Sequence, residues 1–203
     1  YNAVIDACER AGGMLWERAL QLLGEMEASG MEPTVVTLNS AIRACERCHA
    51  WEQALWLFRE LPMRGLDADA IAYNAAIEAC DTGQRWDWAL HLLREMRIWE
   101  VLPETFTYAA TVVACMRGRQ WAWTLHLLEE AREQRLPPDL VTYNSAITAC
   151  GRCVQWERAL LLLGEMRPRV LEPDAFTYSA VISACENGGE WESALVLLKT
   201  LES

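Results

Sequence analysis

The sequence predicts an all-α fold, an α-solenoid of paired antiparallel helices stacked in 35-residue repeats. Two residue series carry that prediction. Cys45, Cys80, Cys115, Cys150 and Cys185 stand 35 residues apart, and so do Trp51, Trp86, Trp121, Trp156 and Trp191. A fixed period of this length marks a stacked array. Composition is the third observation. Of 203 residues, 52% are hydrophobic, which calls for extensive burial. In an array that burial is a continuous seam between neighbours rather than one globular core.

The expected organisation is a single array over residues 1–203, with units 1–34, 35–69, 70–104, 105–139, 140–174 and 175–203. The four middle units are full length and the outer two are truncated. The first unit also carries two extra residues: Cys8 to Trp16 is eight steps, whereas Cys45 to Trp51 is six. Gly12 and Gly13 lie there, so the extra length is expected to widen a turn. The chain begins inside one repeat and stops inside another, so it is expected to be a fragment of a longer array.

Each unit reads as two helices. In the fifth, the first helix is expected over about Thr142 to Arg152. Tyr143, Ala146, Ile147 and Cys150 recur there at helical spacing and give an apolar stripe. Thr142 is positioned to cap its start. Gly151 to Val154 should stop it, and Gly83, Gly118 and Gly188 occupy that turn in other units. The second helix is expected over about Trp156 to Met166, with Ala159, Leu160, Leu162, Leu163 and Met166 on its apolar face. Glu157 in its first turn suits the helix dipole. Pro168 and Pro173 end it, and Pro62 does the same in the second unit. Two such helices cannot bury both apolar faces alone, so neighbours must stack. The superhelix is expected to be right-handed, as in other helix-repeat families.

Composition also excludes functions. No apolar run reaches the roughly 18 residues that span a bilayer, so no membrane partner is expected. Net charge is −11, which suits a polyanion poorly unless basic residues are locally arranged. Six of eight cysteines share one repeat place, Cys8 included. Copies on neighbouring helices would sit about 8–10 Å apart, too far for a disulfide. They read as reduced core thiols. Cys45-x-x-Cys48 and Cys150-x-x-Cys153 have zinc-knuckle spacing, but each borrows a core cysteine, and no metal site is expected. His91 and His126 share a place that later holds Leu161 and Val196, which favours packing or surface roles. The tryptophans at 16, 51, 86, 121, 156 and 191 are expected to fill the seam, with Trp88 and Trp123 more exposed. No phosphate loop or nucleophile–base pair is present. No enzyme activity, cofactor or small-molecule substrate is expected.

The residues now carry a family resemblance. VTYNSAITAC at 141–150, FTYSAVISAC at 176–185, WERALLLLGEM at 156–166 and LEPD at 171–174 resemble the pentatricopeptide repeat, and the resemblance covers essentially the whole chain. It implies binding of single-stranded RNA, one base per repeat. It further implies a role in organellar RNA processing, stability or translation, with other RNA-processing proteins as further partners. A mitochondrial or plastid location follows from the same resemblance.

In that family the residue after the first-helix Tyr and the last residue of the repeat read the base. Carried over, the pairs are Asn2 with Thr34, Asn39 with Asp69, Asn74 with Glu104, Ala109 with Asp139, and Asn144 with Asp174; Ser179 has no partner. The second residue of each unit flanks the base: Val36, Ile71, Phe106, Val141 and Phe176. The thirteenth place meets phosphate: Arg10, Arg47, Arg117 and Arg152, with Thr82 and Asn187 as departures. The implied site is 5′-YUYNUR-3′. Glu9, Glu46, Asp81 and Glu186 stand immediately before the thirteenth place, which implies weak non-specific affinity and marked salt sensitivity.

Read singly, each asparagine is also an ordinary polar residue of a first turn. Each arginine is equally a dipole partner at a helix C-terminus. A protein-binding helical scaffold is therefore the second expectation. It is favoured if the face bearing Asn39, Asn74 and Asn144 is uniformly negative.

Overall fold

A computed structural model describes residues 16–202 of the chain together with Val4 and Ala7. Asn2, Cys8 and Arg10, with the expected widened turn, lie outside the described residues. The described elements are eleven α-helices and one short 3-10 turn. They fall into two compact units, residues 1–103 and 104–203.

The first unit contains α1 (Trp16–Ala28), α2 (Val35–Arg47), α3 (Trp51–Met63), α4 (Ala70–Thr82) and α5 (Trp86–Ile98). The second contains α6 (Thr105–Arg117), α7 (Trp121–Glu133), α8 (Leu140–Arg152), α9 (Trp156–Met166), the 3-10 turn Arg167–Arg169, α10 (Ala175–Asn187) and α11 (Trp191–Glu202). In each unit a second helix wedges between its own first helix and the next one. Thus α3 packs on α2 and α4, and α9 packs on α8 and α10. First helices also pack on one another: α2 on α4, α6 on α8 and α8 on α10. Among the described residues of either unit no such packing joins one second helix to another. The first-helix layer is therefore the tighter one.

Small residues make that closeness possible. Ala41, Ala44, Ala75, Ala76, Ala79, Ala146 and Ala149 are buried along the first helices. A Cβ added at Gly151 would stand 3.0 Å from the Ala184 Cβ, so α8 and α10 meet there without room for a methyl group. Larger side chains fill the layer between. Leu57, Leu61, Leu92, Met96, Leu127, Leu128, Tyr108 and Tyr143 are essentially sealed from solvent. Burying each apolar side chain of this size stabilises by about 1.5–3 kcal/mol. The cysteine series sits in the same layer. Cys45, Cys80, Cys115, Cys150 and Cys185 are free and buried. Burial pushes the first four thiols up to about 12, so they are unreactive packing groups.

Several local expectations are corrected. The first helix of the fifth repeat starts at Leu140, and its N-cap is Asp139, not Thr142. Thr142 lies three residues inside and donates its hydroxyl to the capping carboxylate at 2.5 Å. Pro62 lies within the last turn of α3 instead of ending it. The tryptophans are half-buried rather than sealed, with Trp121 and Trp156 packed against the buried cluster of the second unit, and Trp191 is exposed; Trp88 and Trp123 are half-buried like most of the series.

Trp51 and Trp156 lie against the turns of the next repeat. A Cβ on Gly83 would come within 2.5 Å of the Trp51 ring, and one on Gly188 would collide with Trp156. Those glycines do cap helices, but with φ of −82° at both. Ring contact, not backbone freedom, accounts for them.

The left-handed position comes one residue later. His49, Gln84, Arg119, Val154 and Gly189 hold it with φ between 54° and 77°. Only Gly189 suits it. Val154 is a β-branched residue at φ 60°, and its side chain is 54% exposed, so it gains little by packing. Left-handed backbone costs an L-residue about 1–2 kcal/mol. Val154→Gly is therefore expected to raise stability by about 1 kcal/mol, read as a higher urea midpoint at unchanged m-value. The reverse change, Gly189→Val, should lower it. A lower midpoint for Val154→Gly would show that the branched side chain packs better than its exposure suggests.

Candidate nucleic-acid interface

The last residue of each repeat turns out to be the N-cap of the next first helix. Thr34, Asp69, Glu104, Asp139 and Asp174 all hold extended backbone immediately before a helix. Each is engaged with that helix through its side chain or backbone. Asp69 accepts from Ala72 N at 2.9 Å, Asp139 from Thr142 N at 2.8 Å and Asp174 from Thr177 N at 2.8 Å. Thr34 accepts from Thr37 N at 3.3 Å, and the Glu104 N–H donates to Thr107 Oγ1 at 3.1 Å. The hydrogen bond from the Thr177 backbone N–H holds the Asp174 carboxyl below the usual carboxylate range, so it is ionised at neutral pH.

Capping fixes these carboxylates where an asparagine of the preceding repeat can reach them. Asn39 Nδ2 donates to both oxygens of Asp69, at 3.0 and 3.1 Å. Asn144 Nδ2 lies 3.5 Å from Asp174 Oδ1, a longer contact. Each pair is 30 residues apart in sequence, and both asparagines are at least nine-tenths buried. Asn39 Oδ1 is buried with no hydrogen-bond partner. Asn144 Oδ1 instead accepts from Thr177 Oγ1 at 2.7 Å. Asn74 and Ala109 are half-buried and Ser179 is exposed. Asn74 belongs to the first unit and Glu104 to the second, so that pairing is not a contact within either.

The second place of the repeat behaves uniformly. Val36, Ile71, Phe106, Val141 and Phe176 are 50–66% exposed on the first turns of α2, α4, α6, α8 and α10. Large apolar groups this open contribute little to folding. Their recurrence one residue into five first helices requires another explanation than the core.

The arginines fare unequally. Arg47, Arg117 and Arg152 are exposed at the C-terminal ends of their first helices. In the first unit, Arg43 and Arg47 act on Glu78 of the next first helix. Burial raises the Glu78 carboxyl, and these two cations pull it back. Arg47 therefore spends part of its field on the protein. In the second unit, Arg152 shares a recess of about 280 Å³ with Phe176, Ser179, Thr148, Ser183 and Asn187. Three residues expected at a site thus meet there. Thr148, Ser183 and Asn187 were not expected, apart from Asn187 as a departure from arginine. Their signal was visible as hydroxyl and amide groups one helical turn apart on the first-helix face. The recess is lined by one cation, Arg152, and by no carboxylate.

Other candidates do not gather into sites. Among the described residues no three metal-ligating side chains converge. His91 is exposed and lies 3.6 Å from Glu95. No described helix is long and apolar enough to cross a membrane.

Comparison with known proteins places these features. The family model described as "Pentatricopeptide repeat domain" matches residues 1–47 and 91–153, more than half of the chain. Those described as "PPR repeat family" and "PPR repeat" match residues 126–187, and 36–66 with 176–203. Curated proteins yield no significant match. Among solved structures, the pentatricopeptide repeat protein PPR10 from maize is 28% identical over 100% of this chain and 29% of its own, with a TM-score of 0.72. PPR10 in complex with an 18-nt psaJ RNA element is 26% identical over 99% of this chain and 33% of its own, with a TM-score of 0.75. The chain thus spans about a third of the PPR10 structures. The PPR domain of Arabidopsis thaliana protein-only RNase P 1, in complex with tRNA, is 15% identical over 81% of this chain and 86% of its own, with a TM-score of 0.71; it shows the fold alone.

Proposed function

We propose that this chain, which belongs to the pentatricopeptide repeat family, binds single-stranded RNA through the first-helix face. It reads bases with its asparagine–carboxylate pairs and acts by occupying its site rather than by chemistry. The observation that carries this is the Asn39–Asp69 pair. A capping carboxylate grips one end of a buried carboxamide beside exposed apolar side chains at the second place. A structural asparagine has no need of such neighbours. A base does, since it is read at its edge and stacked on its faces. The setting is a mitochondrial or plastid transcript, whose processing, stability or translation the bound chain governs. Arg47, Arg117 and Arg152, exposed at the C-terminal ends of their first helices, supply the local positive field that the net charge of −11 does not.

Equilibrium binding to a panel of short U-rich RNAs at low and moderate salt tests this. Binding should weaken with salt, each arginine-met phosphate adding about −0.7 to the slope of log K against log salt. Asn144→Ala should relax preference at one nucleotide only. Asp174→Asn, which still caps a helix, should do so without the cap loss of about 1 kcal/mol expected of Asp174→Ala. No binding, or equal loss on every RNA, counts against base reading. Protein capture in place of RNA would favour the scaffold.

A further inference from the structure

The two asparagine pairs differ at one neighbouring residue. Thr177 holds the third place of the repeat that Asp174 caps, and Ala72 holds that place in the repeat that Asp69 caps. The Thr177 hydroxyl oxygen lies 2.7 Å from Asn144 Oδ1 and 2.7 Å from Asp174 Oδ1. It has one hydrogen to give. Asp174 Oδ1 already accepts the Thr177 backbone N–H at 2.8 Å, so the asparagine carbonyl is the group that lacks a donor. Thr177 is sealed from solvent, and water does not compete for that hydrogen. An ionised carboxylate only accepts, so Asp174 must face the amide nitrogen of Asn144. The carboxamide is thereby fixed at both ends. Its oxygen points to Thr177 and its nitrogen points to Asp174, with one N–H left over.

Ala72 offers no hydroxyl. Asn39 Oδ1 is buried without a partner, and Asp69 alone turns that amide. The closer two-oxygen grip of Asp69 stands where the longer Asn144–Asp174 contact is backed by Thr177.

We infer that Thr177 is a positioning residue for Asn144, holding the amide nitrogen toward the nucleotide so that the fifth repeat selects a base edge offering an acceptor. This rests on the RNA reading proposed above. Uracil presents its O4 acceptor where cytosine presents an N4 amino donor, so the fifth repeat prefers uracil to cytosine. The second repeat, whose Asn39–Asp69 pair meets Ala72 of the next repeat, is the looser discriminator.

The test uses the whole 203-residue chain and RNAs differing by U or C at one nucleotide. The nucleotide facing the fifth repeat is the one that Asn144→Ala makes immaterial. Thr177→Val should cut the U-over-C ratio there by about three- to tenfold, the worth of one hydrogen bond. Ratios at other nucleotides should hold, and Thr177→Ser should restore the lost one. Ala72→Thr should raise the ratio at the second repeat's nucleotide by a similar factor. Equal weakening on both RNAs by Thr177→Val, or no rescue by serine, overturns the inference.

Side-chain amide exchange measured by NMR without RNA separates the layers. Asn144 exchange should quicken in Thr177→Val, and Asn39 exchange should slow in Ala72→Thr. Unchanged exchange overturns the positioning role whether or not RNA binds. Shifted exchange in a wild-type chain that shows no U-over-C ratio overturns the RNA reading and the selection built on it.

Discussion

Tyr143→Ala is expected to destabilise the second unit by about 3–5 kcal/mol, enough to unfold a large part of the population. Tyr143 is fully buried and belongs to one core cluster with Leu128, Ala146, Ile147, Leu162, Met166, Val181 and Ala184, drawn from α7, α8, α9 and α10. Removing the ring opens a cavity that four helices would have to move to fill. The phenol end is also engaged. Its oxygen accepts from Arg132 at 2.5 Å, and Arg132 in turn donates to Glu165 at 2.6 Å, so one side chain ties the ends of α7 and α9 to α8.

Tyr143→Phe keeps the ring and loses only the oxygen. Because Arg132 keeps Glu165 and partial solvent access, that change should cost only about 1 kcal/mol. Urea midpoints at constant m-value separate the two. If phenylalanine and alanine fall equally, the tie through Arg132 dominates and the packing account is wrong. The comparison bears on function because Tyr143 immediately precedes Asn144. A reading residue stays in place only while its neighbour is locked in the core.

How far the sequence disclosed this can be followed residue by residue. The paired helices were legible because stacking forces apolar groups to recur: Ala146, Ile147 and Cys150 return 35 residues later as Val181, Ile182 and Cys185. Helix starts were less legible. Apolar periodicity locates a helix but not the residue where backbone turns extended, and Thr142 and Asp139 are both good capping types. The decisive pattern was present all the same. Thr34–Thr37, Glu104–Thr107, Asp139–Thr142 and Asp174–Thr177 are three apart, as a capping residue and its reciprocal partner require.

The tryptophans misled for a different reason. A large ring recurring at a fixed place need not be core. Trp51 and Trp156 cover the glycine turns of neighbouring repeats from the outside. The candidate site was legible in its types and places, because Asn144 and Asp174 stand out by repeat position. Its hydrogen-bond economy was not. That Asp174 serves a helix as well as an asparagine, and that Thr177 reaches Asn144 while Ala72 cannot reach Asn39, depends on distances that no spacing encodes. The double use has a consequence for variation. A capping acid can change to asparagine or serine and keep its helix, so the reading position can vary while the fold persists.

Phe176→Ala is expected to lower RNA affinity by about five- to 150-fold with little change in stability. One base stacked on an aromatic ring is worth about 1–3 kcal/mol by alanine substitution. Phe176 is 60% exposed, so folding recovers only a minor part of its hydrophobic transfer energy. It borders the recess that also holds Arg152 and Ser179, where a base between two first helices would meet a ring, a hydroxyl and a cation. Phe106 holds the same place two repeats earlier and is 50% exposed. The double change Phe106→Ala with Phe176→Ala should multiply the two losses, as separate sites do.

Exposed apolar area alone cannot produce that result, and Trp99 provides the control. It is 69% exposed but follows a second helix, α5, rather than opening a first one. Trp99→Ala removes more apolar surface than either phenylalanine change and should leave RNA affinity as it was. Phe176→Trp, which enlarges the stacking face at the proper place, should hold or tighten binding. Equal weakening by Trp99→Ala and Phe176→Ala would mean that stickiness, not place in the repeat, governs binding, and the stacking role of the second residue would have to be abandoned.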